Sequence, residues 1–219
     1  MRRLVSGLVD LLLPRLCAGC GVELDVAVAL CRSCRRALCD APLAPLAPPP
    51  LASLSCAAAF RGDTESWIRR FKYPGRGLAG LDPTPRAVVE QLACEAAALA
   101  PTPPPQLVVP VPLHPRRLRQ RGFSPAGLLA RAVARQAGVR CNPVALRRLR
   151  DTPSQTSLDR RARRRNVRGA FEPRCAVPAR VWLVDDVATT GSTLAECARA
   201  LRRAGAEHVL GVCAAHTPI

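Results

Sequence analysis

Lysine is nearly absent from this chain: Lys72 is the only one, and aromatic side chains make up only 3% of its 219 residues. The lack of aromatics excludes a core built on large rings. Apolar residues still reach 48%, so Leu, Val and Ala must fill the interior, which suits strands alternating with helices. Few rings also weigh against nucleic-acid recognition by base stacking, for which Phe71, Tyr73, Phe123 and Phe171 are the candidates beside basic residues. No apolar run approaches the roughly 20 residues that span a bilayer. The opening Met1-Arg2-Arg3 and Leu4 to Leu13 resembles a signal peptide only superficially, because Asp10 interrupts it and no small-residue cleavage site precedes Cys17. Leu4, Leu8, Leu11 and Leu12 follow helical spacing and predict a short amphipathic helix packed on the body.

Acidic residues are also scarce, and the formal charge is +17. The deficit is sharpest from His114 to Arg174, where 17 arginines face only Asp151, Asp159 and Glu172. A field so concentrated draws polyanions, either a polyphosphate metabolite or nucleic acid. A minor part of the arginine bias is expected from genome base composition.

The length accommodates one well-buried α/β domain with a small appendage. Eleven cysteines do not make a disulfide scaffold here, because such scaffolds belong to short secreted chains without a large core. The thiols are expected to be reduced and the protein cytoplasmic. Cys17-Ala-Gly-Cys20 and Cys31-Arg-Ser-Cys34 form two C-x-x-C knuckles able to bring four thiolates to one tetrahedral zinc ion, and Gly21 permits the tight backbone after the first. With every position filled by protein, such an ion is structural rather than catalytic. The alternatives are a redox dithiol or buried cysteines. Cys39 is a substitute ligand with poorer spacing, and most of Cys56, Cys94, Cys141, Cys175, Cys197 and Cys213 are expected in the core.

Residues 41–50, APLAPLAPPP, form a stiff connector that neither helix nor central strand tolerates. The expected organisation is therefore a helix and zinc ribbon over 1–40, a linker over 41–50 and an α/β domain over 51–219. Within the last, strands are predicted around Leu54 to Phe60 and Leu107 to Pro112, and helices over Thr64 to Phe71, Arg86 to Leu99 and Ser124 to Ala137, the last with Pro125 in its first turn. Asp151 to Gly169, polar and arginine-dense, reads as a long functional loop. Strand Arg180 to Val184, turn Asp185 to Gly191, helix Ser192 to Arg203 and strand His208 to Cys213 complete a βαβ unit with a parallel sheet.

The turn of that unit stands where open α/β sheets bind ligands. Thr189, Thr190, Ser192 and Thr193 supply hydroxyls, Gly191 lets the backbone curl, and the following helix adds unpaired amides, a set suited to an esterified phosphate. Asp185 and Asp186 would repel that phosphate. They suit instead the two hydroxyls of a ribose whose 5′-phosphate occupies the loop, held directly or through a divalent ion. No lysine follows Gly191, so this is not a Walker loop. The bland alternative is a capped turn.

Val181 to Thr193 resembles the phosphoribosyl diphosphate signature of type I phosphoribosyltransferases. The wider pattern is similar to the ComF/GntX family: the cysteine ribbon, Phe71-Lys-Tyr-Pro-Gly75, the stretch from Pro110 to Phe123, Thr152-Pro-Ser-Gln-Thr156 and Arg165-Asn-Val-Arg-Gly-Ala-Phe171. The resemblance implies a type I phosphoribosyltransferase fold, a parallel twisted sheet flanked by helices. It implies that Asp185 and Asp186 meet the ribose hydroxyls, that Ala188, Thr189, Thr190, Gly191, Ser192 and Thr193 meet the 5′-phosphate, and that Asp151 to Gly169 forms a hood. Such chemistry expels diphosphate through an oxocarbenium-like transition state, so catalysis is positioning and charge neutralisation. Arg116, Arg117, Arg119, Arg121, Arg161 and Arg165 are the candidate clamps, with magnesium bridging. His114 is either a contact of the site or a packed turn residue. The resemblance also implies a competence role, and a second expectation is a factor that handles single-stranded DNA through the ribbon and the basic segment. A third treats the ribbon as a docking site for competence-machinery proteins.

Overall fold

A computed structural model describes residues 16–24, 28–39, 45–74, 82–101, 103–151 and 165–218. The amphipathic segment Leu4 to Leu13, Thr152 to Thr156 and Arg161 lie outside them. Helix α1 (Arg32–Leu38) belongs to the cysteine module. The body follows as β1 (Ser53–Ala59), α2 (Gly62–Lys72), α3 (Thr84–Ala98), β2 (Leu107–Pro110), α4 (Pro115–Arg121), α5 (Pro125–Ala137), β3 (Arg140–Cys141), β4 (Leu146–Arg148), β5 (Phe171–Pro173), β6 (Arg180–Ala188), α6 (Ser192–Arg203) and β7 (His208–His216). No helix among the described residues is long and apolar enough to cross a membrane.

Five strands form one parallel sheet in the order β1-β7-β6-β2-β3. Both faces are covered, which is why its strands are almost wholly apolar. Alternation divides them: Trp182, Val184, Leu210 and Val212 pack with α3 and α5, whereas Val181, Leu183, Val209 and Cys213 pack with α6 and the β4–β5 hairpin. Small side chains fill much of this interior, with Ala93, Ala96, Ala130, Ala198 and Ala200 inaccessible to solvent. The expected architecture, a parallel sheet flanked by helices with a four-cysteine group at its N-terminal end, is the one observed.

The topology places a crevice. From β2 the chain turns through α5 on one face towards β3, and from the adjacent β6 it turns through α6 on the other face towards β7. Two connections leaving in opposite directions open a gap between the carboxyl ends of those strands.

Three elements differ from expectation. Strand β6 does not stop at Val184 but stays paired with β7 to Ala188, opposite His216, so the carboxylates sit in the strand and the turn is only Thr189 to Gly191. The two backbones run in register long enough for ladder bonds to outweigh the polar side chains. Residues Pro115–Arg121, for which the sequence predicted no helix, form α4, capped by the His114 ring, which accepts from the Arg116 amide at 3.3 Å, and closed by Gly122 at φ 82°. Proline in the first turn and glycine just past the last were the legible signs. The hairpin β4–β5 was not foreseen, because two three-residue strands carry too few side chains for a period to show.

Of the six scattered cysteines, Cys56, Cys197 and Cys213 are buried, Cys94 and Cys141 half-buried, and Cys175 exposed.

Candidate functional site

The sulfurs of Cys17, Cys20, Cys31 and Cys34 all lie within 4.8 Å of one another, and Cys39 stands outside the group. Zinc–sulfur bonds of about 2.3 Å in a tetrahedron require sulfurs about 3.8 Å apart. Cys20 and Cys31 are at 3.7 Å, so the group fits a zinc ion. Backbone amides already serve the sulfurs: Gly19 and Cys31 donate to Cys17 at 3.4 and 3.2 Å, and Cys34 donates to Cys31 at 3.4 Å. Burial pushes the Cys17 thiol up, but those amides outweigh it and bring it down to about 6. Cys34 is pushed up to about 12 by its hydrogen bonds with Cys20 and Cys31, the mark of thiols sharing one site. A methyl at Gly19 would sit 2.8 Å from the Cys34 sulfur, so the first knuckle has no room for a side chain there. The module is docked on α3: Gln91 Oε1 accepts from the Ala29 and Leu30 amides, Arg35 pairs with Glu95 at 3.0 Å, and Leu30 is buried.

The crevice at the end of the sheet is a cleft of about 460 Å³. One wall is the β6–α6 turn, whose Ala188, Thr189, Gly191, Ser192 and Thr193 face the cavity. Thr190 supports the turn, with its hydroxyl 2.8 Å from that of Ser192 and accepting the Ser192 amide at 3.4 Å. Gly191 caps α6 in the left-handed region at φ 67°. A methyl there would be strained by the backbone and would also strike Pro48 at 2.6 Å, so the connector packs against this turn.

Asp185 and Asp186 form the floor. The Asp186 amide donates to Asp185 Oδ1 at 2.9 Å. Burial, and then the charge of Asp186, push the Asp185 carboxyl up to about 7 against the opposing pull of Lys72 and Arg148. Lys72, the last residue of α2, places its Nζ 2.8 Å from Asp186 Oδ1. Burial alone would lower its pKa, but Asp186 and Asp185 outweigh this and hold it above the usual value.

The remaining wall is cationic. Arg117 and Arg121 of α4 and Arg148 of β4 line the cleft. Arg117 Nε donates to Asp151 Oδ1 at 3.1 Å, Arg121 lies 4.8 Å over the Tyr73 ring, and Arg148 lies 5.4 Å over Phe171. Burial, followed by the charge of Arg117, lowers the Arg148 pKa.

The structure thus gathers Asp185, Asp186, the turn, Arg117 and Arg121 into one cavity. Arg116 points away, with its side chain 67% exposed and 3.5 Å from Asp151; Arg119 and Arg165 are also exposed, and neither lines the cleft. His114 caps a helix outside the lining. Sequence reasoning did not place Lys72 or Arg148 in the site. Lys72 carried a sign in being the sole lysine, whereas Arg148 was one arginine among many. Most of the segment from Asp151 to Gly169 expected as a hood lies outside the described residues; at its end the Gly169 amide donates to the buried Glu196 carboxylate at 2.7 Å.

No family model matches the chain. Among curated proteins it is similar to the DNA utilization protein YhgH of Escherichia coli K12, 40% identical over 114 residues, which covers 52% of this chain and 50% of that one. It is also similar to competence protein F of Haemophilus influenzae, 36% identical over 109 residues, 48% of each chain. The chain therefore spans about half the length of the curated relatives it matches. Among solved structures it is similar to a glutamine phosphoribosylpyrophosphate amidotransferase from B. subtilis, with TM-score 0.45 and 18% identity over 68% of this chain and 30% of that one. An orotate phosphoribosyltransferase from Aeropyrum pernix gives TM-score 0.36 and 17% identity over 70% of this chain and 92% of that one.

Proposed function

We propose that this chain, a relative over half its length of a DNA utilization protein and a competence protein, binds phosphoribosyl diphosphate or a closely related ribose 5-phosphate in the cleft and acts in the cytoplasm. One observation carries the reading: a hydroxyl-lined helix N-terminus, a carboxylate pair and four arginines, Arg69, Arg117, Arg121 and Arg148, face one cavity of about 460 Å³. The turn Thr189 to Thr193 takes the 5′-phosphate on its hydroxyls and on the amides that open α6. The carboxylates accept the ribose hydroxyls. Arg117, Arg121 and Arg148 face the diphosphate, whose departure from the anomeric carbon they would assist by neutralising charge that accumulates on it. Magnesium, when bound, neutralises the diphosphate oxygens, and the hood excludes water. In this reading residues 1–40 form the zinc ribbon, 41–50 the connector and 51–219 the ligand-binding domain. The acceptor of a phosphoribosyl group is left unassigned.

Titration calorimetry with phosphoribosyl diphosphate and magnesium checks this. Binding is expected for the native chain, with a loss of roughly a hundredfold or more when Asp185→Asn and Asp186→Asn are combined, since each charged hydrogen bond contributes about 1.5–3 kcal/mol. Unchanged affinity in the double variant would remove the carboxylates from the site.

A second reading, a competence factor that handles single-stranded DNA, is favoured by arginines that cover aromatic rings in and near the cleft. Arg70 lies 4.9 Å over Trp67, a ring not counted in the sequence, and Arg121 covers the exposed Tyr73. Trp67 is partly buried against the core, so Tyr73 is the exposed ring on which a base could stack. Affinity for single-stranded DNA should then fall steeply with salt, and Tyr73→Ala should weaken it by about 1–3 kcal/mol. Salt-independent binding that ignores Tyr73 would count against it. Partner proteins of the competence machinery would dock on the ribbon.

A further inference from the structure

A cradle that offers two carboxylates to an anionic ligand needs a cation. Of 33 basic residues all but one are arginines, and the single lysine is the one placed against those carboxylates. Its position is built in. Phe71 is buried beside it, 6.0 Å from the Phe123 ring, and Ile68, one turn earlier, is wholly buried, so the end of α2 is pinned to the core. Lys72 therefore delivers its ammonium into the cleft from a fixed anchor. The side chains of the pair are only 25% and 11% exposed, and removing either leaves the other charge poorly solvated.

The choice of lysine has a chemical reason. A guanidinium would cover a carboxylate with a two-pronged fork, whereas an ammonium is a point charge making one contact. Lys72 engages Oδ1 of Asp186. The other oxygen of Asp186, and Oδ2 of Asp185, whose Oδ1 already accepts the Asp186 amide, stay available to accept sugar hydroxyls. Among the described residues Arg69, paired with Glu65, and Arg117, Arg121 and Arg148 are the other cationic groups lining the cavity.

A divalent ion does not fit beside this arrangement. Magnesium demands near-octahedral oxygen ligands at about 2.0–2.1 Å. To use Asp186 it would have to share the carboxylate with an ammonium 2.8 Å from Oδ1, bringing two cations together. We propose that Lys72 is the resident cation of the cradle, taking at Asp186 the place of a divalent ion, so that the ribose end binds a ribose 5-phosphate without metal. The inference rests on the ribose-phosphate reading and confines any metal requirement to the diphosphate half of a ligand.

The test uses ribose 5-phosphate, which has no diphosphate, titrated in a chelating buffer and in magnesium. Native protein should bind it equally in both to within about twofold, a difference of less than 0.5 kcal/mol. Lys72→Met, which keeps the stem and removes the charge, should bind roughly tenfold more weakly in chelator and recover with magnesium. Native binding lost in chelator, or Lys72→Met behaving as native in both buffers, overturns the proposal. A second measurement requires no sugar: manganese titration followed by electron paramagnetic resonance. Native protein should show no manganese at the carboxylates, and Lys72→Met should gain a site that Asp186→Asn then removes. Manganese bound at Asp186 in the native chain overturns the assignment. If neither buffer supports ribose 5-phosphate binding while manganese enters only after Lys72 is replaced, the cation assignment stands and the ribose-phosphate reading fails.

Discussion

Replacing Asp185 with asparagine should stabilise the protein at pH 8 and leave it unchanged below about pH 3. Its carboxyl is pushed up to about 7 in the folded chain by burial and by the neighbouring Asp186 charge, whereas an unfolded aspartate ionises near 3.8. Below both values the side chain is neutral in either state and contributes nothing. As pH rises from about 4 to 7 the unfolded chain loses its proton first, so stability falls, and above about 7 the full cost of the buried charge is present. One pKa unit is worth about 1.4 kcal/mol, which puts the gain from the neutral isostere at roughly 2–4 kcal/mol. For a chain of this size that is on the order of 10 °C in Tm. Asparagine retains an oxygen for the Asp186 amide, so the strand need not change. Thermal unfolding of both proteins at about pH 3 and at pH 8 decides the matter; an equal Tm difference at both values would show that the side chain acts by packing and not by charge. The same variant should lose ligand affinity, a charge retained at the expense of stability being the usual character of a binding site.

The second large effect concerns the ribbon. Native protein should carry about one zinc per chain by elemental analysis, and Cys34→Ser or a strong chelator should release it. Structural zinc contributes about 10–16 kcal/mol of binding free energy to such modules, which collapse without it. The consequence here reaches the body, because Leu30 is buried against the core, Gln91 accepts two ribbon amides and Arg35 pairs with Glu95. Exposing Leu30 alone costs about 2–3 kcal/mol. Zinc removal should therefore lower the melting temperature of the whole chain as well as abolish the ribbon. Less than about a third of an ion per chain, or a Tm that ignores the metal, would reject a four-thiolate zinc site.

The residue pattern by itself determined the parts in which one short segment carries the whole signal. The paired C-x-x-C knuckles, the apolar strand running into Asp185 and Asp186, and the helix beginning at Ser192 are each local, since ligand spacing, strand burial and helix start are written within a dozen residues. Helix ends were legible for the same reason wherever Ser124 or Pro125 marked them. What needed distance in the chain was not legible. Lys72 meets Asp186 across 114 positions because β1 and β6 are separated in the sheet only by β7 and α2 ends over the gap. Arg148 faces the cleft because a hairpin folds it there, while Arg116, one residue from the cleft-lining Arg117 and paired with the same Asp151, stays outside the lining and largely exposed. Seventeen arginines between His114 and Arg174 look alike in sequence. Only tertiary structure could sort those that face the cleft from those that face water, because that choice is made by the direction of a side chain on an element whose neighbours come from elsewhere in the chain.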